Sequence, residues 1–202
     1  MNEKLTTEDD LIVIKVADCN REKRQAYQLR YEVFALELND QRYADHDLQE
    51  FKDTDDVDES ILIIAKSKNR VIGSVRLKPL MFRDFIGVED YGFERLAEFL
   101  EFEPHELLLT VAAVDRFVFA KDSRKGRSLC RRLLDELECQ AKALGVNVLV
   151  AAVDSEDARL RVFYRRFLGY KEYPVARTRD GVRFQCFYGL LNGISDGSDV
   201  RD

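Results

Sequence analysis

The stretch Leu107–Gly145, LLLTVAAVDRFVFAKDSRKGRSLCRRLLDELECQAKALG, decides how the chain folds. Leu107 to Phe119 is an apolar run of Leu, Val, Phe and Ala, broken by one charged pair, Asp115–Arg116. Such a run, closed by turn residues, reads as a buried strand. Lys121 to Arg127 is polar and holds one glycine, Gly126. The apolar period then changes. Cys130, Leu133, Leu134, Leu137, Ala141 and Leu144 fall on one face of an amphipathic helix, and Gly145 stands where a glycine ends one. A helix start carries unpaired N–H groups and partial positive charge, which suits an anion. Arg124, Lys125 and Arg127 crowd the same end. Cations there oppose the helix dipole, so they cost stability unless an anion binds. The arrangement predicts a cradle for a phosphate or pyrophosphate. The plainer alternative is three solvated basic side chains on a turn that binds nothing.

Working outward, the 202 residues suit a single domain, expected over residues 1–191, with a flexible tail over 192–202. The chain is 46% apolar and 35% charged, so it should fold and stay soluble. Its net charge of −6 argues against nucleic acid as a partner. No apolar run approaches the roughly 20 residues that span a bilayer. The opening MNEKLTTEDDL lacks the apolar core of a signal peptide, so the expected location is the cytoplasm. Four cysteines, Cys19, Cys130, Cys139 and Cys186, are scattered without metal-ligand spacing, and no metal is expected. Cys130, on the apolar helix face, reads as core filler. His46 and His105 lie in polar surroundings with nothing spaced for nucleophilic catalysis.

Leu11–Ala17 reads as a first strand, followed by a helix from about Arg21 to Leu38. The apolar positions of that helix are Ala26, Leu29, Val33 and Phe34, with Leu36 and Leu38 nearby; Arg30 beside them reads as a snorkelling surface arginine. Asn39–Glu59 is long for a loop and loaded with carboxylates. Either it is a solvated acidic loop or it holds a cationic ligand such as an amine. Ser60–Lys66 and Val71–Leu77 form a hairpin. Lys78–Glu106 reads as a connecting flap with a short helix over Glu94–Phe102. After the central unit come a strand over Val146–Val153, a helix over Asp154–Leu168 with Ala158, Leu160, Val162, Phe163 and Phe167 as its apolar positions, and a hairpin of Tyr170–Ala176 with Val182–Leu190. The order predicts an α/β fold with a mixed sheet flanked by helices, its central strands parallel.

These elements, with the turn Ser123-Arg124-Lys125-Gly126-Arg127-Ser128 and the segment FYRRFLGY (Phe163–Tyr170), resemble the GNAT superfamily of N-acyltransferases. That family's turn follows Q/R-x-x-G-x-G/A and holds the pyrophosphate of coenzyme A; here Ser occupies its first and last positions. The likeness runs from about Leu11 to Leu190. A narrower one lies in LRYEVFALE (Leu29–Glu37), the D-x-x-D-x-S of Asp55, Asp58 and Ser60, GSVRL (Gly73–Leu77) and DRFVF (Asp115–Phe119). These look like the acyl-homoserine-lactone synthases and the long-chain N-acyl amino acid synthases. The glutamate that the lactone synthases place before the arginine of this last motif is Ala113 here, which favours the acyl-amino-acid side of the group.

The resemblance implies transfer of an acyl group from acyl-CoA or acyl carrier protein to a primary amine, with an amino acid among the acceptors. Monomer and homodimer both remain open. Arg124, Lys125, Gly126, Arg127 and Ser128 would hold the donor, with Phe117, Val118 and Phe119 along the strand beside it. The N–H groups of Val118 to Ala120 would polarise the thioester carbonyl. Arg30, Phe34, Asp55, Asp58, Arg76 and Arg116 would face the acceptor. Tyr164 would protonate the departing thiolate, unless it is simply a buried aromatic. The competing function is a module of the same fold that binds an acyl thioester without turnover.

Overall fold

The computed structural model describes residues 12–56, 59–80, 110–124, 127–179 and 182–191. Its strands in chain order are β1 (Ile12–Val16), β2 (Ala44–Asp45), β3 (Glu50–Phe51), β4 (Ile61–Ser67), β5 (Arg70–Leu80), β6 (Thr110–Phe119), β7 (Val146–Asp154), β8 (Lys171–Arg179) and β9 (Val182–Leu190). The α-helices are α1 (Asn20–Arg30), α2 (Arg127–Ala143) and α3 (Ala158–Val162). Seven strands form one mixed sheet in the order β1-β4-β5-β6-β7-β9-β8, and β2 with β3 makes a separate hairpin. β6 and β7 run parallel; β1/β4, β4/β5, β7/β9 and β8/β9 are antiparallel. This is the mixed α/β sheet the sequence predicts. The residues expected as one domain span two compact units, 1–77 with 116–139 and 78–115 with 140–202. The helix expected over Glu94–Phe102, the start of the central run at Leu107, and the tail from Asn192 lie outside the described residues.

In the first unit, β4 and β5 are buried on both faces, with Ile63, Ile64, Ala65, Val75 and Leu77 fully enclosed. The apolar stripe of α2 is buried as its period requires, through Leu133, Leu134 and Leu137. Burial pushes the Cys130 thiol up to about 11, in keeping with a packing role. Leu144, expected on that stripe, lies past the last helical residue and is exposed. Gly145 does close the helix, at φ 70°.

Gly73 in β5 is there for space. A Cβ on it would stand 2.7 and 2.8 Å from two ring carbons of Phe119. Gly73→Ala forces that ring aside and is expected to destabilise the fold by about 1–3 kcal/mol. Urea denaturation measures the shift, and an unchanged midpoint would show that the ring has room to move.

Two helices depart from the sequence expectation in the same way. The first does not run on to Leu38. It ends at Arg30 and passes into a π-helical segment, Tyr31–Glu37, in which the N–H of Leu38 reaches the carbonyl of Val33 at 3.0 Å. The wider turn rotates the apolar face, leaving Leu36 and Leu38 exposed. In the second unit β7 continues to Asp154, so the next helix starts late. The Asp157 carboxylate caps it, accepting from the N–H groups of Arg159 and Leu160. Another π segment, Phe163–Phe167, follows; Leu160 and Val162, expected inside, are exposed. β7 itself is buried on both faces, as a central parallel strand must be. Val148 and Val150 pack with Tyr173, Cys186 and Tyr188 on one side, Ala151 and Val153 with Tyr164 and Phe187 on the other.

Candidate active site

The centre of the first unit is ionic. Arg30 and Arg76 are both fully buried. Arg30 Nη1 donates to Asp56 Oδ1 at 2.8 Å, and Arg76 Nη1 lies 3.1 Å from the same oxygen. Arg76 also binds both carboxylate oxygens of Asp53. Arg116 binds Asp53 from the other side, through Nε at 2.9 Å and through Nη2. Desolvation works against the charge of Asp53, but Arg76 and Arg116 outweigh it and hold its carboxyl well below the usual range. Arg30, Asp56, Arg76, Asp53 and Arg116 therefore form one continuous chain of ion pairs. A buried pair of this kind is weak evidence of stabilisation, because desolvation offsets its attraction. Its fixed geometry is the informative feature.

Arg30 is thus no snorkelling surface residue: it is enclosed, its guanidinium 5.4 Å from the centre of the Tyr27 ring. The acidic loop is not wholly solvated either, because it turns Asp53 and Asp56 inward. The D-x-x-D pattern occurs twice in overlapping register. Asp53 and Asp56 meet the arginines, whereas the resemblance points to Asp55 and Asp58. Asp55 stands at the edge, 3.9 Å from Arg76, and its carbonyl accepts from the Ser60 hydroxyl at 2.6 Å. Asp58 lies outside the described residues. Asp53 and Asp56 are buried whereas the Asp55 side chain is 33% exposed, a difference that sequence spacing does not carry.

Arg116 is the outermost of the three arginines, its side chain 18% exposed. Its guanidinium lies 5.7 Å from the ring centre of Phe34 and 5.2 Å from those of Tyr43 and Phe51. The π segment supplies Phe34 and the β2–β3 hairpin supplies Phe51, while Tyr43 precedes that hairpin. Sequence reasoning missed Tyr43 and Phe51. Arg116 also has φ 54°, a left-handed backbone inside a strand that costs of order 1–3 kcal/mol in a non-glycine residue. The charge partners and the rings hold it there.

The expected donor residues are only partly described. Lys125 and Gly126 lie outside the described residues, Arg127 opens α2, and Ser128 is exposed in its first turn. Arg124 has its Nε 3.0 Å from the Phe119 carbonyl, and its Nη1 and Nη2 bind Glu37 at 2.7 and 2.9 Å. Phe117 and Phe119 pack edge to face at 5.1 Å between ring centres, and Val118 between them is buried. Of the three amides expected to polarise a carbonyl, that of Ala120 already donates to the Ile72 carbonyl at 2.9 Å.

In the second unit Tyr164 is sealed among Phe163, Leu168, Tyr170 and Phe187, its ring stacked on Phe187 at 5.7 Å. Desolvation raises its phenol, and the negative charge of Asp115 raises it further. Elsewhere, Asp18, Cys19 and Glu22 bring potential metal-ligand atoms within 4.8 Å of one another. Lys66 and Lys15 already neutralise Glu22, at 2.8 and 3.0 Å.

The described elements make a mixed α/β sheet with a parallel central pair. The model of the acetyltransferase (GNAT) family matches residues 23–170, and the chain belongs to that family of N-acyltransferases. No curated protein matches the sequence. Among solved structures, FeeM, an N-acyl amino acid synthase from uncultured soil microbes, superposes with a TM-score of 0.67 at 10% identity, covering 91% of this chain and 92% of that one. BjaI, a CoA-dependent acyl-homoserine lactone synthase solved with SAM and isopentyl-CoA, gives 0.64 at 17% identity, covering 91% and 84%. An acyl-CoA N-acyltransferase from Pseudomonas aeruginosa gives 0.57 at 18% identity, covering 88% and 97%. At these identities the likeness is one of fold. No helix among the described residues is long and apolar enough to cross a membrane.

Proposed function

We propose that this N-acyltransferase moves an acyl group from acyl-CoA or acyl carrier protein to the amine of an amino acid, with Arg116 meeting the acceptor's carboxylate. The observation that carries this reading is Arg116 itself. It keeps a strained backbone, a carboxylate partner and three aromatic rings, yet its side chain stays 18% exposed while Arg30 and Arg76 are fully buried. Guanidinium is matched to carboxylate in shape and charge. Asp53 fixes where that group points, and Arg76 with Asp56 and Arg30 fixes Asp53. Such preorganisation lets an acceptor bind without reordering its site. The amine then attacks the thioester carbonyl, forming the amide bond as the C–S bond breaks. The amine proton leaves to a base or water, and the thiolate is protonated on departure.

On the donor side, Arg124 of the turn faces the pyrophosphate in this reading. Arg124→Ala is expected to raise the donor KM about tenfold with little change in kcat, the pattern of lost uniform binding. Steady-state kinetics with the donor varied checks it; an unaltered KM would remove the turn from donor binding. Two observations favour the second reading, a thioester-binding module without turnover. Tyr164 is sealed from solvent, and the Ala120 N–H is already engaged.

A further inference from the structure

We propose that Glu37 is a carboxylate latch on Arg124 that the donor's phosphate groups must displace, so that donor binding releases the π segment next to the acceptor frame. The proposal rests on the reading that the turn after β6 receives the donor.

The geometry is specific. Arg124 spends Nη1 and Nη2 on the two oxygens of Glu37 and Nε on the Phe119 carbonyl. The paired N–H edge that would grip a phosphate is the edge that Glu37 occupies. A phosphate approaching it meets a negative charge already in place. Arg124 holds the Glu37 carboxyl below the usual carboxylate range, so that charge persists at neutral pH. Both side chains are more than a third, or close to a third, exposed (39% and 33%), so solvent and ligand can reach the pair and part it.

Glu37 is the last residue of the π segment, and the same segment carries Phe34, one of the three rings around Arg116. Asn39, just beyond it, adopts φ 55°, which marks where the segment ends. A second, looser link joins the same parts. Arg70 lies 3.7 Å from Glu32 of the segment and 3.7 Å from Asp122 of the turn. The π segment is thus tied by its acids to the donor turn and by Phe34 to the acceptor-side arginine. A ligand that takes Arg124 from Glu37 must change the segment's stability. By linkage, whatever orders the segment must change the ligand's affinity by the same factor. Donor and acceptor binding would then be coupled through Phe34, while the arginine–aspartate frame itself stays fixed.

The test is calorimetric binding of coenzyme A, a long-chain acyl-CoA and acyl carrier protein to the full chain, to Glu37→Gln, to Glu37→Asp and to Arg124→Ala. Hydrogen exchange across residues 31–38 is followed in each. Removing the latch is expected to tighten donor binding about tenfold, within the usual size of such couplings. Wild type should lose protection over 34–38 when the donor binds, and Glu37→Gln should show that loss without it. Adding Glu37→Gln to Arg124→Ala should change donor affinity no further. Equal donor affinity in wild type and Glu37→Gln, with protection unmoved, overturns the latch while leaving the donor reading intact. Failure of all three probes to bind any of the proteins overturns the donor reading and the latch with it.

Discussion

Asp53→Asn is expected to cost about 3–5 kcal/mol of stability, the penalty for removing one partner of a buried pair. The carboxylate joins Arg76, which is fully buried, to Arg116, which is mostly so. An amide keeps the shape but drops the charge, leaving two guanidiniums facing each other across the gap. Asp56 still holds Arg30 and Arg76, so the loss falls most heavily on Arg116, whose left-handed backbone needs its partner. Acceptor binding should fail with it. The pH dependence has a definite sign. The Asp53 carboxyl is lowered in the folded protein, so its contribution is fully present above the unfolded value of about 3.9. It is lost as pH falls through the folded value. The gap between wild type and Asp53→Asn in urea denaturation should be constant near neutrality and close on strong acidification. A gap that widens in acid would contradict the assignment, and so would no gap at pH 7.

Tyr164→Phe is expected to lower kcat about 10²-fold if the phenol protonates the leaving thiolate. The environment sets a further condition. Burial and Asp115 both push the phenol upward, so it stays protonated throughout the working range. It cannot serve as a base, the upward shift makes it a weaker acid toward a thiolate than a free phenol, and it should add no limb to the pH–rate profile below about pH 10. Its packing against Phe187 and Tyr170 survives the substitution, so the fold should lose only about 1 kcal/mol. Stopped-flow or steady-state rates of the two proteins decide the matter. An unchanged kcat would leave Tyr164 as a core residue of the second unit.

The sequence made the sheet legible because its central strands announce themselves. Val146–Val153 and Ser60–Lys66 are apolar on both faces, which only a covered sheet requires. The Leu133–Leu137 stripe of α2 was equally plain. Both π segments were invisible. An i, i+3, i+4 pattern is nearly the same for a helix that widens by one residue, and tertiary contacts decide where it widens. That error put Leu36, Leu38, Leu160 and Val162 on the wrong side. In the site, the resemblance brought Arg30, Phe34, Arg76 and Arg116 to notice, and the structure gathers these four in one unit. Asp53 and Asp56 are the carboxylates that join them, a pair with the same spacing as the expected Asp55 and Asp58. Arg30 was misread from its surroundings, since a long cation beside an apolar face snorkels unless a carboxylate waits inside. The latch between Glu37 and Arg124 spans 87 positions and leaves no local trace.

The central claim is acyl transfer from a thioester to an amino acid, and its most direct test is thiol release. The full chain is given a long-chain acyl-CoA or the same chain on acyl carrier protein, with amino acids or their decarboxylated amines. Mass spectrometry reads the product. The account predicts thiol release that depends on the amine, an N-acylated product of matching mass, and a clear preference for the amino acid over the amine that lacks its carboxylate. Donor binding with no amine-dependent thiol release would contradict it and leave a thioester-binding module in its place.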